Sequence, residues 1–272
     1  MTPDAGSPGV LTSPVLARVG VPHAFTTRVG GVSRGVFASL NFGNPMDLVG
    51  DRRDPPEHIA ENFRRVLAAI GASGREVVQV YQVHGLAARV FRRGDPSRDA
   101  GPDGPIDFKA DALITDDPAR VVAVRVADCA PVLLASADGR VVAAVHAGWR
   151  GVVAGVLPAA VLAMRHLGAG NLVAAVGPCI GPEAFEVGPE VLAEFRRVFG
   201  PEAPVRERAD GKGHVDLKAA LASQAREAGV DLIDVLPHCT ARDAMRFFSH
   251  RRERGVTGRM VGLIGPAPGT AP

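Results

Sequence analysis

The clearest indication of the fold is the stretch VVAVRVADCAPVLLASADGRVVAAVHAGWRG, residues 121–151. It holds apolar runs at residues 121–126, 132–135 and 141–145. Continuous apolar runs of this length are typical of β-strands that are covered on both faces. Ala137-Asp138-Gly139 separates the second run from the third, and an Asp-Gly step favours a hairpin turn. The stretch therefore predicts buried strands, the last two of them joined as a hairpin.

Further strands and helices are predicted on both sides of this stretch. Strand-like runs lie at residues 77–83, 87–91, 112–115 and 172–176. Helices are predicted from an Asp54 cap and Pro55 to Gly71, over 151–167 with a kink at Pro158, over 188–199, and over 217–228 after an Asp216 cap. This mixture predicts an α/β fold in which helices pack on mixed sheets.

The chain is expected to fold as one domain over residues 14–265. Residues 1–13 and 266–272 are rich in Pro, Gly and other small residues, so both ends are predicted to be flexible. The segment 94–107 is rich in Pro, Gly and Asp and lies between strand-like runs, which predicts a surface loop rather than a domain boundary.

Composition excludes several classes of function. Lys and Arg number 31 against 29 Asp and Glu, so charge offers no reason to expect nucleic acid or a membrane as partner. Three cysteines argue against a disulfide framework. The N-terminus has no signal-peptide pattern, and no apolar run reaches the roughly 18 residues of a membrane span. We therefore expect a cytoplasmic protein, with the roles of Cys179 and Cys239 left open.

Three candidate metal ligands each follow an apolar strand. His84 comes after the run 77–83, Cys129 after 121–126, and His146 after 141–145. If these strands lie in one sheet with their ends on the same side, the three side chains converge. Two imidazoles and a thiolate suit zinc, and three protein ligands leave a fourth position open, as in catalytic sites. The alternative is two ordinary histidines and a buried cysteine, since the spacing matches no local zinc signature.

Two glycine-containing segments are candidate anion sites. In His146-Ala-Gly-Trp-Arg-Gly151, Arg150 lies between a strand and a helix start, where an anion is favoured. The segment 26–35 has consecutive glycines beside Ser33 and two arginines, which is compatible with an anion-binding nest but lacks P-loop spacing. Its candidate residues are Arg28, Gly30, Gly31 and Ser33. Tight turns between strands are the alternative in both cases.

A basic run near the C-terminus is the last candidate. Phe247-Phe-Ser-His-Arg-Arg-Glu-Arg254 joins two aromatic side chains to a string of charges. The phenylalanines are expected to anchor the segment, which would hold His250 and Arg251 near a site. A solvated charged surface is the alternative.

The motifs in their order along the chain resemble the YfiH/YlmD-type laccase-domain family, also called the multicopper polyphenol oxidoreductase family. They are TTRVGGVSRGVFASLNFG (26–43), QVHG (82–85), ADALIT (110–115), VADCAPVLL (126–134), VHAGWRG (145–151), VGPCIGPEAFEVG (176–188), DLKAAL (216–221) and FFSHRR…TGRM (247–260). The resemblance implies a single-domain layered α/β/β/α sandwich with mixed sheets, the YfiH-like cysteine hydrolase fold. It also implies a laccase-type catalytic domain over 14–265 that binds one zinc ion through His84, Cys129 and His146.

The resemblance implies a purine nucleoside phosphorylase acting on adenosine, inosine, guanosine and methylthioadenosine, with adenosine deaminase activity. Its partners would be a nucleoside and phosphate, and we expect a monomer. His84, Cys129 and His146 would be catalytic, with Asp128 as acid/base or orienting group. The substrate residues would be Arg28, Gly30, Gly31, Ser33, Asn41, Gln82, Arg150, His250 and Arg251.

Other functions stay open at this point. A copper polyphenol oxidase is disfavoured because the eight histidines include no His-x-His pair. A hydrolase that edits a cell-wall precursor would use Cys129 as a nucleophile activated by His84 or His146. A binding module without turnover is the last alternative. The usual deaminase signature, His-x-Glu with Pro-Cys-x-x-Cys, is absent, so any deamination would use another arrangement.

Overall fold

The computed structural model describes residues 7–45, 48–95 and 109–269. Its strands, numbered in chain order, are β1 (Val10–Leu11), β2 (His23–Thr26), β3 (Glu76–Val78), β4 (Ala88–Phe91), β5 (Ala112–Thr115), β6 (Arg120–Val126), β7 (Ala130–Ser136), β8 (Val142–Ala147), β9 (Leu172–Val176), β10 (Glu186–Val187), β11 (Val205–Glu207), β12 (Gly213–Val215), β13 (Leu232–Val235) and β14 (Met260–Ile264). Its α-helices are α1 (Pro14–Arg18), α2 (Pro56–Ala69), α3 (Trp149–Ala154), α4 (Val156–His166), α5 (Pro189–Phe199) and α6 (Leu217–Glu227).

Two mixed sheets form the centre of the molecule. One has the order β1-β2-β14-β6-β3, with β3 parallel to β6, and the other has the order β13-β9-β7-β8-β5-β4, with parallel pairs at both edges. Their inner faces pack together through buried apolar side chains such as Phe25, Val124 and Leu133. Burying one face of each sheet in this way leaves the outer faces to be covered by helices.

Helices cover both outer faces. Helix α2 places Ile59 and Phe63 on the five-stranded sheet, and α4 and α6 pack on the six-stranded sheet with side chains such as Met164 and Leu221. A small sheet of order β10-β12-β11 lies beside these layers. The predicted α/β/β/α sandwich with mixed sheets is therefore confirmed.

The stretch 121–151 connects the two sheets. Strand β6 belongs to the five-stranded sheet, whereas β7 and β8 form an antiparallel hairpin within the six-stranded sheet. The turn is the predicted one, with Gly139 at φ 71° and Asp138 accepting a hydrogen bond from Ser136 Oγ at 2.6 Å. The chain thus passes from one sheet to the other at Ala127-Asp128-Cys129, which places these residues at the edge between the layers.

The predicted helix over 151–167 is wrong in one respect. Two helices, α3 and α4, replace it, and they are separated by Gly155 in the left-handed conformation, φ 88°. Glycine adopts this conformation without a Cβ penalty, so it ends α3. Pro158 falls in the first turn of α4, where a missing N–H breaks no intrahelical bond, and no kink is needed there.

The start of α2 also differs from the prediction. The helix begins at Pro56, and Asp54 does not cap it. The Asp54 carboxylate instead accepts hydrogen bonds from Ser33 Oγ at 2.5 Å and Asn41 Nδ2 at 2.8 Å. Asp54 therefore ties α2 to the preceding loop. The Asp216 cap of α6 is confirmed by its bonds to the next helical N–H groups.

Strand β3 is shorter than predicted. The side chain of Gln82 makes the hydrogen bonds to β6 that the backbone of a longer β3 would make. The Gln82 amide donates to the carbonyl of Arg125 at 2.7 Å and accepts from its N–H at 2.8 Å. These are the groups of β6 that a longer β3 would have paired. The backbone of residues 79–83 is thereby released from the sheet, and His84 lies in a loop rather than directly after a strand.

The ends of the chain are more ordered than predicted. Val10–Leu11 forms β1 and pairs with β2, so residues 7–13 are part of the fold. Ala267 donates to the carbonyl of Gly139, so the C-terminal segment packs past residue 266. Residues 1–6, 270–272 and most of the predicted loop 94–107 lie outside the described residues. None of the helices within the described residues combines the length and the hydropathy of a membrane-spanning segment.

Candidate metal centre

Ligand atoms of His84, Cys129 and His146 lie within 4.8 Å of one another. The two imidazole rings are 4.8 Å apart at their centroids and inclined by 72°, so both present nitrogen atoms to the same space as the sulfur. Among the described residues this is the one group of three His, Cys, Asp or Glu side chains placed to hold a metal ion. The predicted convergence is confirmed.

The three residues do not converge in the way that the sequence suggested. The strands β3 and β6 belong to the five-stranded sheet, whereas β8 belongs to the six-stranded sheet. His146 lies within β8, Cys129 lies between β6 and β7, and His84 has a positive φ of 61° in the loop after β3. The site is therefore built across the edge where two sheets meet, and the expectation of a single sheet is wrong.

Asp111 holds two of the three ligands, and it is not among the residues predicted from the sequence. Its fully buried carboxylate accepts from His146 Nδ1 at 2.8 Å, from the His84 N–H at 2.9 Å and from the Gly85 N–H at 2.7 Å. The first bond leaves His146 Nε2 to face the centre, and the others hold the strained backbone of His84. The only available signal was a carboxylate at the start of a predicted strand, inside ADALIT.

Asp111 is charged because of these bonds. Burial alone would raise the pKa of its carboxyl, but hydrogen bonds from His146 and from the N–H groups of Gly85 and His84 lower it. A carboxylate behind a ligand histidine fixes the tautomer of the ring and increases its basicity.

The surroundings of Cys129 and His146 favour a thiolate–imidazolium ion pair. Burial would raise the pKa of the Cys129 thiol, but His146 and His84 outweigh it and lower this pKa to about 6. Burial would lower the pKa of His146, but the Cys129 thiolate and Asp111 raise it to about 9. The thiolate is the form of cysteine that binds metals and attacks electrophiles, so the site favours both chemistries.

Gly148 leaves room for the centre. A Cβ atom at this position would lie 2.8 Å from His84 Cδ2 and 3.0 Å from Cys129 Sγ. Such distances are shorter than carbon atoms tolerate, so the first glycine of HAGWRG permits the two ligands to approach the backbone.

Asp128 adjoins the centre, but its carboxylate is fully engaged. It accepts from Thr240 Oγ1 at 2.5 Å, from Ser249 Oγ at 2.9 Å and from the Arg251 N–H at 2.7 Å. These bonds draw residues 249–251 towards the chain beside Cys129. The geometry favours the orienting role predicted for Asp128 over the role of an acid or base.

The ligand group opens into a cavity of about 1500 Å³. Several predicted substrate residues line it, namely Gln82, Arg150, His250 and Arg251, together with Asp128. The Arg150 guanidinium lies 4.5 Å from the Trp149 ring, and Arg251 donates to the carbonyls of Ala184 and Glu186. Gln79, Arg125 and Arg259 also line the cavity and were not singled out from the sequence.

Arg28, Gly30 and Gly31 do not reach this cavity. Arg28 Nε donates to the carbonyl of Ala38 at 2.9 Å, and its guanidinium lies over the Phe248 ring. The Gly31 N–H donates to Ser39 Oγ at 3.1 Å. The polar groups of the predicted nest are therefore used within the protein, and its glycines permit close backbone packing.

Ser33 and Asn41 also lie outside the cavity. Both bind Asp54, and Asn41 Oδ1 also accepts from the N–H groups of Gly43 and Arg259. They hold the segments that form the cavity wall and do not face a substrate there. Four of the nine predicted substrate residues thus line the cavity, and the other five do not.

The remaining cysteines are not part of the centre. Neither Cys179 nor Cys239 lines the cavity, and burial raises the pKa of the Cys179 thiol to about 12. Cys239 Sγ accepts from the N–H of Gly181 at 3.1 Å.

These features define a mixed α/β/β/α protein with a His/Cys/His group at the edge between its sheets. A model of the family described as multi-copper polyphenol oxidoreductase laccase matches residues 22–267. The chain belongs to this family. It is 40% identical over 263 residues to a purine nucleoside phosphorylase of Deinococcus radiodurans, covering 95% of this chain and 94% of that protein.

Two further comparisons agree with this assignment. Purine nucleoside phosphorylase YfiH of Escherichia coli is 36% identical over 245 residues, covering 90% of this chain and 93% of that protein. The crystal structure of YlmD from Geobacillus stearothermophilus superimposes with a TM-score of 0.82 at 33% identity, covering 95% of this chain and 96% of that one.

Proposed function

We propose that this chain is a zinc-dependent purine nucleoside phosphorylase. The observation that carries the proposal is the His/Cys/His group opening into a large cavity, in a chain 40% identical to a relative named for this activity. A cavity of about 1500 Å³ exceeds the roughly 300–1,000 Å³ of ordinary small-molecule sites, so a nucleoside and phosphate fit together.

The donor set fits zinc. His84 and His146 offer imidazole nitrogens, Cys129 offers a thiolate, and the absence of a side chain at Gly148 leaves space beside them. Three protein ligands in this combination suit a catalytic zinc site with one open position. When bound there, zinc would supply a Lewis acid to a polar atom of the substrate.

The reaction transfers the ribosyl group of a nucleoside to phosphate. An oxygen of hydrogen phosphate bonds to C1′ as the bond from C1′ to N9 breaks, the bonding electrons stay on the base, and the phosphate proton ends on the base. The cavity brings the two reactants together, which removes most of the entropic cost of their encounter. We assign nucleoside contacts to Arg150, His250 and Arg251, while Gln82 positions the wall through its bonds to Arg125.

The substrates proposed are adenosine, inosine, guanosine and methylthioadenosine, whose shared purine and ribose suit one cavity. We also propose adenosine deamination at the same site, in which water adds at C6 and ammonia leaves. Ammonia release from adenosine without phosphate separates this second activity from phosphorolysis.

A hydrolase with Cys129 as nucleophile is the second candidate. The ion pair with His146 favours it, because a thiolate beside an imidazolium is the nucleophile of many hydrolases. Metal analysis separates the two, since a thiolate bound to zinc is not free to attack. Copper phenol oxidation, which the family description suggests, would show as oxygen uptake with a phenol after copper loading.

The test uses zinc-loaded protein with inosine, with and without phosphate. We expect hypoxanthine and ribose 1-phosphate to form only with phosphate, and Cys129→Ser to lose at least about 100-fold in rate because a metal ligand is changed. Cys239→Ser is the matched control, as it changes a half-buried cysteine outside the cavity. Hypoxanthine release that does not depend on phosphate, or none at all, would overturn the proposal.

A further inference from the structure

We propose that Arg125, Arg259 and Gln79 form the subsite for the phosphate dianion in the cavity. The assignment rests on the proposed phosphorylase function. The sequence-based candidates for phosphate, Arg28 and the glycine nest, lie behind the wall, so another set of cationic groups must meet the anion.

The three side chains lie on one face of the five-stranded sheet. Val121 and Ala123 of β6 pack under α2, and Arg125 follows in the same alternation. Val261 of β14 packs under α2 as well, and Arg259 precedes it by two residues. On the sheet face that α2 covers, the apolar side chains are thus followed by polar ones where the sheet borders the cavity.

The two arginines are neighbours. A Cβ atom at Gly43 would lie 3.0 Å from Arg125 Cδ and 3.6 Å from Arg259 Cγ, so both stems run past the same backbone. Burial and, second to it, the charge of Arg259 lower the pKa of Arg125 to about 10. Two partly buried cations this close repel each other, and an anion bound between them would offset that repulsion.

The Arg125 guanidinium has no carboxylate partner in the described part of the chain. Within 7–45, 48–95 and 109–269, no carboxylate oxygen lies within 4.0 Å of it, and its side-chain hydrogen bond goes to the carbonyl of Val80 at 3.5 Å. A partly buried guanidinium loses hydration, which a charged partner would offset. An incoming dianion would supply the missing partner, and guanidinium forks match phosphate oxygens in bidentate geometry.

Gln79 provides an independent observation. It is 2% exposed and lines the cavity, yet among the described residues its Nε2 atom has no hydrogen-bond partner. A buried donor without a partner is costly, so its retention at a cavity wall points to a ligand with acceptor atoms. Phosphate oxygens accept from both amide and guanidinium groups.

Other charged groups of the cavity do not compete for this role. Asp54 lines the same cavity, but its carboxylate already accepts from Ser33 and Asn41. Asp51 is exposed at the rim. Arg53 and Arg150 also line the cavity, and Arg251 and Arg259 both donate to backbone carbonyls. Arg125 and Arg259 differ from these other cations in lying side by side at the cavity wall.

The test distinguishes an effect on phosphate binding from an effect on nucleoside binding. In zinc-loaded enzyme, Arg125→Gln and Gln79→Glu should each raise KM for phosphate at least tenfold and leave KM for inosine within about twofold. Arg125→Lys should recover part of the loss because it retains the charge. Arg226→Gln on α6, exposed and outside the cavity, is the control for the loss of one charge and should behave as wild type.

Direct titration with inorganic phosphate, without nucleoside, makes the test independent of turnover. Wild-type protein should bind phosphate and Arg125→Gln should bind it at least tenfold more weakly, whether or not phosphorolysis is found. Unchanged phosphate binding in both Arg125→Gln and Gln79→Glu would overturn the subsite. A loss confined to inosine 5′-monophosphate, with inorganic phosphate unaffected, would also overturn it, since the anion would then be part of a nucleotide.

Discussion

At the scale of single residues, Asp111 matters most. It was invisible as a functional residue in the sequence, yet its carboxylate connects His146 to the backbone of His84 and Gly85. A single buried charge therefore sets the direction of one ligand ring and the backbone of another. Removing this charge should weaken metal binding more than it lowers the stability of the fold.

Asp111→Asn keeps the shape of the side chain and removes the charge. We expect zinc affinity to fall about 10- to 100-fold, the usual loss when a carboxylate behind a ligand histidine is changed. Competition with a chromophoric chelator measures this. Asp138→Asn, in the turn between β7 and β8, is the matched control, and equal affinity in both variants would contradict the role assigned to Asp111.

Zinc affinity should also depend on pH in a defined way. With the pKa of Cys129 lowered to about 6 and that of His146 raised to about 9, the metal-free site between these values holds a thiolate and an imidazolium. Zinc needs the thiolate and a neutral imidazole, so binding expels one proton, and affinity should rise about tenfold per pH unit from about 6 to about 9.

Below about pH 6 two protons must leave, so the dependence should become steeper there, and above about pH 9 it should flatten. Chelator competition at several pH values, with proton release measured in a weak buffer, tests this. Affinity that is independent of pH between 6.5 and 8.5 would show that His146 carries no proton in the metal-free protein.

At the scale of elements, the close approach of β8 and the following turn to the ligands depends on Gly148. Gly148→Ala would force a methyl group to within 2.8 Å of His84 and 3.0 Å of Cys129. We expect zinc affinity to fall at least tenfold while the circular dichroism spectrum stays unchanged. Gly170→Ala, where an added Cβ meets nothing within 4 Å, is the control. Equal affinities would mean that the ligands adjust freely.

The elements also show what sequence patterns can predict. The hairpin of β7 and β8 was predictable because an Asp-Gly turn between apolar runs has few alternatives. The assignment of β6 and β8 to different sheets was not, since strands buried on both faces look alike in either sheet. Gln82 shortened β3 through side-chain bonds to Arg125 that no local pattern reveals.

At the scale of the whole molecule, the layered architecture and the His/Cys/His convergence followed from motifs read in order. The cavity wall did not, because it combines residues distant in sequence. Arg125 looks like a lone charge in an apolar strand until Arg259 and Gln79 are brought beside it. Conversely, Arg28 and Gly31 look like an anion site until their bonds to Ala38 and Ser39 are seen.

We propose that the edge between the two sheets holds one zinc ion on His84, Cys129 and His146. The most direct test is a crystal of the zinc-loaded protein measured on both sides of the zinc absorption edge. We predict a single anomalous peak within bonding distance, about 2.0–2.3 Å, of the two imidazole nitrogens and the sulfur. No peak among these atoms, or a peak elsewhere in the chain with Cys129 free, would rule out this zinc site.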